Sequence, residues 1–565
     1  FLPMSTHFYT ECIDCGYQAP YVLASPACPK CGSEWLEARY DYTHLAKQLP
    51  LELPGRPFNL WRYFDLLPVQ TPNPAISMGE GGTPLLRAVN LGLMLGNANI
   101  YIKDERQGPT HSFKDRQAAV SIAALKEAGI NELVLASTGN VAIAYSAYAA
   151  RAGMRLWVFL TSLVPAVKMR ETALYGAQVV KVTGSYDQAK QTAAEFARQR
   201  GIYLDKGARS IPCIESMKTI AFETVEQLTA LAGSPGVSGS DNAPLWKAPD
   251  WYIQSISGGM GPLGVIKGFD ELMQMGLIDR FPKFGLVQVD GCAPMVHAWK
   301  QNKESAQAVI APRTLIHTLA TGDPGRTYAL LRNKILAHAG GHFEMVSDDE
   351  AYRAMHILAK MEGLSVEPAA AVSIAGVIKM VRAGIIKPNE TVMINCTGHT
   401  MPVERNILGE GWSKDLTLPV TNEMEEGKEE GLLAALSKVG IDRFPRISIV
   451  DDNPDVRRLI RRILQSQGNY SLFEATNGRE AVELAKKEQP NLMILDLMMP
   501  EMDGFAVMDA LKADVTTADI PIVVVTAKEL TPSEKERLRG HVQTLMQKGD
   551  FLSDDLLDEV RALLG

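Results

Sequence analysis

Several things are scarce in this chain of 565 residues, and each shortage narrows what it can be. There are seven cysteines, too few for a disulfide framework in so long a chain, and four of them fall within the first 31 residues. Positive charge is also short. Lysine and arginine total 57 against 65 acidic residues, a net charge of -8, which argues against general nucleic-acid binding, because a phosphate backbone needs a basic surface. No apolar run reaches the ~18 residues of a membrane span, and the start lacks a basic segment followed by a hydrophobic core. The expectation is a cytoplasmic protein with no membrane or nucleic-acid partner. What is present is ordinary for a globular chain of two to four domains: 46% hydrophobic and 22% charged residues.

Cys12-Ile13-Asp14-Cys15-Gly16 and Cys28-Pro29-Lys30-Cys31-Gly32 form two C-x-x-C-G knuckles. Four thiolates at this spacing suit tetrahedral zinc, and the glycines let backbone amides turn in towards sulfur. So few residues surround the site that the metal would supply the folding energy, and no ligand position is left open for catalysis. A structural ribbon over 8–40 is expected.

From Tyr40 to Gly96 the chain reads as a proline-rich connector that ends in Gly79-Glu80-Gly81-Gly82-Thr83-Pro84-Leu85-Leu86. Short β-rich runs then alternate with helical patterns: Asn99 to Lys103, Glu132 to Ala136, Arg155 to Leu160, Gln178 to Val182, Trp251 to Ile256, Gly285 to Val289 and Thr391 to Asn395. That order predicts a mostly parallel, doubly wound α/β architecture with ligands at the carboxyl ends of the strands.

Three elements at such ends carry chemistry. Pro109-Thr110-His111-Ser112-Phe113-Lys114-Asp115-Arg116 opens a helix, with Ser112 as a suitable N-cap and Gly129 as a stop. The helix dipole lowers the proton affinity of a lysine placed there and favours the free amine, which can bond covalently to a carbonyl cofactor. Ser137-Thr138-Gly139-Asn140 opens another helix and could hold a carboxylate at its N-terminus. Ser257-Gly258-Gly259-Met260-Gly261 opens a third, and its glycines let backbone amides approach a phosphate. It lacks the spacing and the lysine of a nucleotide-binding loop. A lysine, a phosphate cradle and an asparagine loop on one scaffold suggest pyridoxal phosphate.

The span from about Gly79 to Gly411 resembles the fold type II pyridoxal-phosphate enzymes, and within them threonine synthase. The residues that carry the resemblance are G-E-G-G-T-P-L at 79–85, P-T-H-S-F-K-D-R at 109–116, A-S-T-G-N at 136–140, E-S-M-K-T at 215–219, the glycine loop at 258–261, E-P-A-A-A at 367–371 and C-T-G-H-T at 396–400. The resemblance implies that Lys114 carries the covalent link to the cofactor and moves protons. It implies that Asn140 bonds the cofactor's 3-oxygen, that Gly258, Gly259, Met260 and Gly261 hold its phosphate, and that Thr397 sets a hydroxyl beside the pyridine nitrogen. Ser137 and Thr138 become candidates for the substrate carboxylate. A hydroxyl at the ring nitrogen suits elimination and replacement better than transamination.

Val141 and His111 depart from the family's usual threonine and glycine, and Cys213 stands where threonine synthases usually have a phosphate-gripping arginine; Arg209 is close by in sequence. The implied reaction is phosphate elimination from O-phosphohomoserine with water addition to give threonine, in a homo-oligomer. A dehydratase, ammonia-lyase or β-replacement enzyme acting on another amino acid remains an alternative, as does a non-catalytic sensor scaffold.

After a charged stretch at 419–444, the apolar runs Arg446 to Val450, Tyr470 to Glu474, Leu492 to Asp496, Ile522 to Val525 and Val542 to Met546 predict a second doubly wound domain with five strands. Asp451, Asp452 and Asp496 end two of these strands, and three carboxylates sharing a pocket call for a divalent cation such as magnesium. Residues 445–565 resemble the receiver domain of response regulators through I-V-D-D-N, L-D-L-M-M-P-E-M-D-G, V-V-T-A and Q-K-G. The resemblance implies Asp496 as phosphoacceptor, Asp451 and Asp452 as magnesium ligands, Thr526 and Lys548 as switch residues, and a sensor histidine kinase as phosphodonor. Leu545 and Gly549 depart from the family's usual aromatic and proline. The expected organisation is thus a ribbon at 8–40, a catalytic region at 41–418, a linker at 419–444 and a receiver at 445–565.

Overall fold

The computed structural model describes residues 8–399 and 445–564, apart from 24–26, 138, 162–163, 184–185, 234–245, 468–469, 528–529, 539–541 and 548–553. The expected linker at 419–444 therefore lies outside the described residues, as do Thr138, Lys548 and Gly549. No helix among the described residues is long and apolar enough to cross a membrane. The chain divides into two compact units, one formed by Phe1–Val89, Asn97–Ala359 and Leu364–Thr400, the other containing Met401–Gly565.

The first unit begins with a three-stranded antiparallel ribbon, β1 (Phe8–Cys12), β2 (Gln18–Pro20) and β3 (Leu36–Tyr40), in the order β2-β1-β3. The strands that follow are β4 (Leu85–Arg87), β5 (Ile100–Asp104), β6 (Glu132–Ser137), β7 (Arg155–Thr161), β8 (Gln178–Val182), β9 (Tyr203–Leu204), β10 (Trp251–Ser255), β11 (Lys283–Val289), β12 (Gly341–Val346) and β13 (Val392–Cys396). They make two sheets, β12-β11-β10-β13-β5-β4 and β8-β7-β6-β9, parallel throughout except for the antiparallel edge strand β4. All seven runs expected as strands are strands. The edge strands β4, β9 and β12 escaped the periodicity, because edge strands are short or carry polar residues on both faces.

The region 41–96, expected as a connector, is structured. It carries the helix Tyr42–Glu52, and Leu60, Trp61, Leu67 and Val69 are buried in the hydrophobic core with the helix Lys114–Glu127. The glycine pattern at 79–82 has a steric reason. Gly81 and Gly82 have φ of +77° and +59°, and a Cβ on either would lie 2.4 Å from the backbone nitrogen of Leu60 or 2.0 Å from the carbonyl oxygen of Phe58.

A buried charge network joins these parts. Arg116 donates to both oxygens of Glu105, at 2.9 and 2.7 Å, and to both oxygens of Glu223, at 2.6 and 2.9 Å; Lys103 Nζ reaches Glu223 at 2.7 Å. Two cations balance two anions, and the Gly82 amide donates to Glu223 at 2.9 Å. The strand β5, the glycine turn, the helix Thr219–Leu231 and the start of the lysine helix are thereby held to one another.

The ribbon is fastened by a second such cluster. Lys218 and Lys267 pair with Glu215 and Glu271, and the Tyr40 hydroxyl at the end of β3 donates to Glu215 at 3.1 Å. The E-S-M-K-T stretch thus serves as a structural lock, with Glu215 and Lys218 fully buried.

The C-terminal sheet is β14 (Arg446–Val450), β15 (Ser471–Ala475), β16 (Leu492–Leu495), β17 (Ile522–Thr526) and β18 (Thr544–Gln547), all parallel in the order β15-β14-β16-β17-β18. This is a doubly wound sheet whose strand order reverses at β14 and β16, so their carboxyl ends flank the switch point.

Replacing Arg116 with Met would strand two buried carboxylates, and a loss of about 3–5 kcal/mol is expected, read as a lower urea midpoint by tryptophan fluorescence. Glu223 is held down at about 2; burial opposes this, but the Arg116 and Lys103 charges outweigh it. Its stabilising contribution is complete above the ordinary carboxylate range near ~4.3 and is lost as pH falls towards about 2. A wild-type protein whose acid unfolding matched that of Glu223→Gln would contradict this.

Candidate active site

The lysine loop is zipped to the loop after β13. Ser112 bridges Gly398, the Phe113 amide donates to the Thr397 carbonyl at 3.0 Å, and the His399 amide donates to the His111 carbonyl at 3.0 Å. These bonds bring Thr397, nearly 300 residues away in sequence, beside the first residue of the lysine helix. Phe113 occupies the cap position, in place of the expected Ser112, whose hydroxyl only approaches the Lys114 amide at 3.4 Å. His111 stands at φ 60°, in the left-handed region, which accounts for the glycine usual at that place in the resembled family.

Lys114 lies half-buried in the wall of a cavity of about 600 Å³. Its ammonium nitrogen sits 4.2 Å from the Phe113 ring centroid, a contact that favours charge. Burial outweighs it and brings the amine down to about 8. The same wall contains Asn140, Val141, Gly258, Gly259, Met260, Gly261 and Thr397, so the expected lysine, asparagine loop, glycine loop and threonine converge.

The glycine loop opens the helix Met260–Gln274, whose first amides have no partner within the helix. Gly259 has φ +83°, and a Cβ there would lie 2.7 Å from Leu331 Cδ1 and 3.1 Å from Met295 Cε. A Cβ on Gly261 would meet Gln254 Nε2 at 2.7 Å.

Ser137 is placed differently from expectation. It is buried outside the cavity wall, and its hydroxyl accepts the amides of Gly139 at 3.0 Å and Ala142 at 3.1 Å, so it shapes the loop that opens the helix Asn140–Arg151.

Around Asn140 the structure adds groups that sequence reasoning missed. Lys168 Nζ donates to Asn140 Oδ1 at 2.7 Å and to Glu367 Oε2 at 3.0 Å, while Asn140 Nδ2 donates to Glu367 Oε1 at 2.7 Å. The triangle fixes the amide's orientation and leaves its second N–H for a ligand. Glu367 lay in a quoted motif, but Lys168 had no local signal.

Cys213 is fully buried behind the wall, within 3.4–3.5 Å of Asp205, Tyr145, Ser121 and Gln117. Burial and the neighbouring Asp205 carboxylate push its thiol up to about 12, so it packs as a neutral group. Arg209 does line the cavity, together with Lys190, Lys206 and Arg326.

Two further clusters of ligand-type side chains are present among the described residues. The four ribbon cysteines bring their sulfurs within 4.8 Å of one another, with Cys12–Cys31 at 3.6 Å and Cys15–Cys28 at 3.7 Å. A tetrahedral ion with bonds of ~2.3 Å needs sulfur separations of ~3.8 Å, so the set fits a four-coordinate metal. In the C-terminal unit Asp451, Asp452 and Asp496 also gather oxygens within 4.8 Å, and Thr526 is buried at the end of β17.

Residues 76–398, more than half of the chain, match the family described as pyridoxal-phosphate dependent enzyme. The chain belongs to the pyridoxal-phosphate dependent enzymes. Residues 447–561 match the response regulator receiver domain, which the C-terminal unit carries. Threonine synthase of Methanocaldococcus jannaschii is 34% identical over 393 residues, covering 69% of this chain and 91% of that protein. Threonine synthase of Methanosarcina acetivorans is 31% identical over 405 residues, covering 71% and 94%. Among solved structures, diaminopropionate ammonia lyase from Escherichia coli aligns with a TM-score of 0.50 at 14% identity, covering 66% of this chain and 93% of that one, a likeness of fold.

The cavity of this pyridoxal-phosphate dependent enzyme fits the cofactor on its own geometry. It offers a glycine cradle at a helix N-terminus, and among the described residues the buried Ser255 Oγ and Gln117 Oε1 in its wall have no hydrogen-bond partner within the protein. Gly259→Ala is expected to weaken cofactor retention on the order of tenfold, through backbone strain and the Leu331 clash. Visible absorbance remaining after repeated ultrafiltration checks this; full retention would show that the loop does not hold the phosphate.

Proposed function

We propose that this chain is a threonine synthase that converts O-phosphohomoserine and water into threonine and inorganic phosphate, and that its receiver domain responds to aspartyl phosphorylation. The observation that carries the reading is the basic side of the Lys114 cavity. Lys190, Lys206, Arg209 and Arg326 line it alongside Asp205, Asp323 and Glu367, and their cationic donors suit a substrate bearing a phosphate dianion better than one with a neutral hydroxyl. The threonine synthase relatives support it.

In this reading Lys114 would hold the cofactor covalently, and the amides of Gly258, Gly259, Met260 and Gly261 would take its phosphate. Asn140 would bond its 3-oxygen, and Thr397 would offer a hydroxyl to its ring nitrogen. Pyridoxal phosphate, when bound, supplies an electron-withdrawing ring that spreads the negative charge developed on the substrate's carbon chain. Asn140 and Val141 lie in the wall at the start of their helix, where backbone amides suit the substrate's α-carboxylate, with Ser137 shaping that turn. Once the substrate's amine displaces it from the cofactor, the freed Lys114 amine would take protons from the α- and β-carbons and return them at the γ- and α-carbons. The bond from the γ-carbon to phosphate breaks, and water adds at the β-carbon.

Zinc at Cys12, Cys15, Cys28 and Cys31 would fold the ribbon. Magnesium at Asp451, Asp452 and Asp496 would screen the carboxylates while Asp496 would accept a phosphoryl group from a histidine kinase, with Thr526, at the end of β17, placed to contact it.

Incubating the holoenzyme with O-phosphohomoserine should release phosphate and threonine in equal amounts. A keto acid from serine or threonine, with no turnover of the phosphate ester, would replace this reading with a dehydratase. The low proton affinity of Lys114 gives a second test. The charged form prevails below about 8 and the free amine above it, so covalent loading of the apoprotein should accelerate as pH rises to about 8 and then level off. A rate that kept climbing towards pH ~10.4 would mean an unperturbed lysine. In the third test, acetyl phosphate with magnesium should label the wild type but not Asp496→Asn, and a label that changed neither turnover nor oligomeric state would remove the regulatory part.

A further inference from the structure

The ribbon reaches the catalytic cavity with charged side chains at fixed distances from its cysteines. Asp14 lies inside the first knuckle, between Cys12 and Cys15, and pairs with Arg326 through two hydrogen bonds, one of them 2.8 Å from Nη1 to Oδ2. Glu34 lies three residues beyond Cys31 and accepts from both Lys206 and Arg209. Trp35, the next residue, is itself part of the cavity wall, and the Arg326 guanidinium sits 5.7 Å from its ring centroid. The knuckle and the Trp35 segment are tied together by the Ile13 amide, which donates to the Trp35 carbonyl at 3.0 Å.

Arg326, Lys206 and Arg209 therefore form one edge of the cavity, and each is oriented by a ribbon carboxylate. The pairs leave capacity for a ligand. An ammonium has three donors and a guanidinium five, of which these contacts use one on Lys206, one on Arg209 and two on Arg326. Three cations share the two ribbon carboxylates at this edge, with Asp205 and Asp323 also in the cavity wall, so the unused donors and not a net charge are what the edge offers an anion.

We propose that the ribbon is part of the substrate-binding wall, with Asp14 and Glu34 acting as positioning residues that set Arg326, Lys206 and Arg209 to receive the terminal phosphate of the substrate. This rests on the phosphate-ester substrate proposed above. The metal that folds the knuckles thereby acts on substrate affinity from outside the reacting centre, because both carboxylates are placed by the same cysteine loops. The arrangement also explains how the chain manages with Cys213 buried and neutral: the cationic contacts are supplied from the cavity edge.

The test uses the full-length holoenzyme. Calorimetric titration with inorganic phosphate measures the edge directly, and KM and kcat for O-phosphohomoserine measure it in turnover. Because the ion pairs are partly exposed, Glu34→Ala and Asp14→Ala should each weaken phosphate binding about threefold to tenfold and raise KM to match, with kcat and cofactor absorbance retained. Glu34→Gln keeps an acceptor and should recover most of the loss. Arg209→Met should weaken phosphate further than either. Chelating the ribbon metal should reproduce the KM effect in the wild type and add little in the Asp14→Ala, Glu34→Ala double variant.

Unchanged or tighter phosphate binding in Glu34→Ala would overturn the proposal, since the carboxylates would then be spectators or competitors. Weaker phosphate binding in the variants of a protein that leaves O-phosphohomoserine untouched would uphold the anion site and reject the substrate reading. Turnover with an unmoved KM in every variant would do the reverse.

Discussion

The guanidinium of Arg116, buried between Glu105 and Glu223, is the contact on which the cavity's geometry depends. Two carboxylates, one guanidinium and the Lys103 ammonium are removed from water together, and each is tolerable only because the others are there. Arg116 is two residues from Lys114, so the same contact that satisfies buried charge also fixes where the lysine helix starts. The glycine turn joins in through the Gly82 amide and the Thr83 hydroxyl. The lysine's neighbours are accordingly structural, and the chemistry around its amine comes from elsewhere.

That chemistry is assembled from loops far apart in the chain. The 397–399 loop comes in by backbone pairing with 111–113, the glycine loop by opening a helix after β10, and the asparagine loop by the Lys168–Glu367 triangle. Each depends on a parallel sheet ending at one side, which is why one cavity collects them. The side away from the glycine cradle is made differently, by basic residues and by a ribbon whose own core is too small to stand alone. A second buried cluster, built on Glu215, Lys218, Lys267, Glu271 and Tyr40, fastens that ribbon in place.

Much of this could be read from the residues, and the failures have physical causes. Central strands appear as continuous apolar runs, and six of the seven expected in the first unit are central; the seventh, β8, is an edge strand still marked by Val179, Val180 and Val182, whereas the edge strands β4, β9 and β12 lack that mark. The region 41–96 looked like a connector because its prolines interrupt any period, yet its apolar residues fill a core. Ser137 seemed a ligand-binding hydroxyl by position in a motif, and the structure turns it to the amides of Gly139 and Ala142. Lys168 had no signal at all, because a lone lysine gains meaning only from the carboxylate brought to it.

The sequence by itself determined the four-cysteine cluster, the parallel architecture, the glycine loop and the receiver's acidic cluster, since local spacing and strand-end chemistry express these. The tertiary structure alone decided which cations face the cavity and what holds them. Arg326, Lys206 and Arg209 are surface-type residues that no period distinguishes, and Asp14 and Glu34 are ordinary acids in a small module. Their meaning arises from long-range contact, through charges that act across space and carry no signature along the chain.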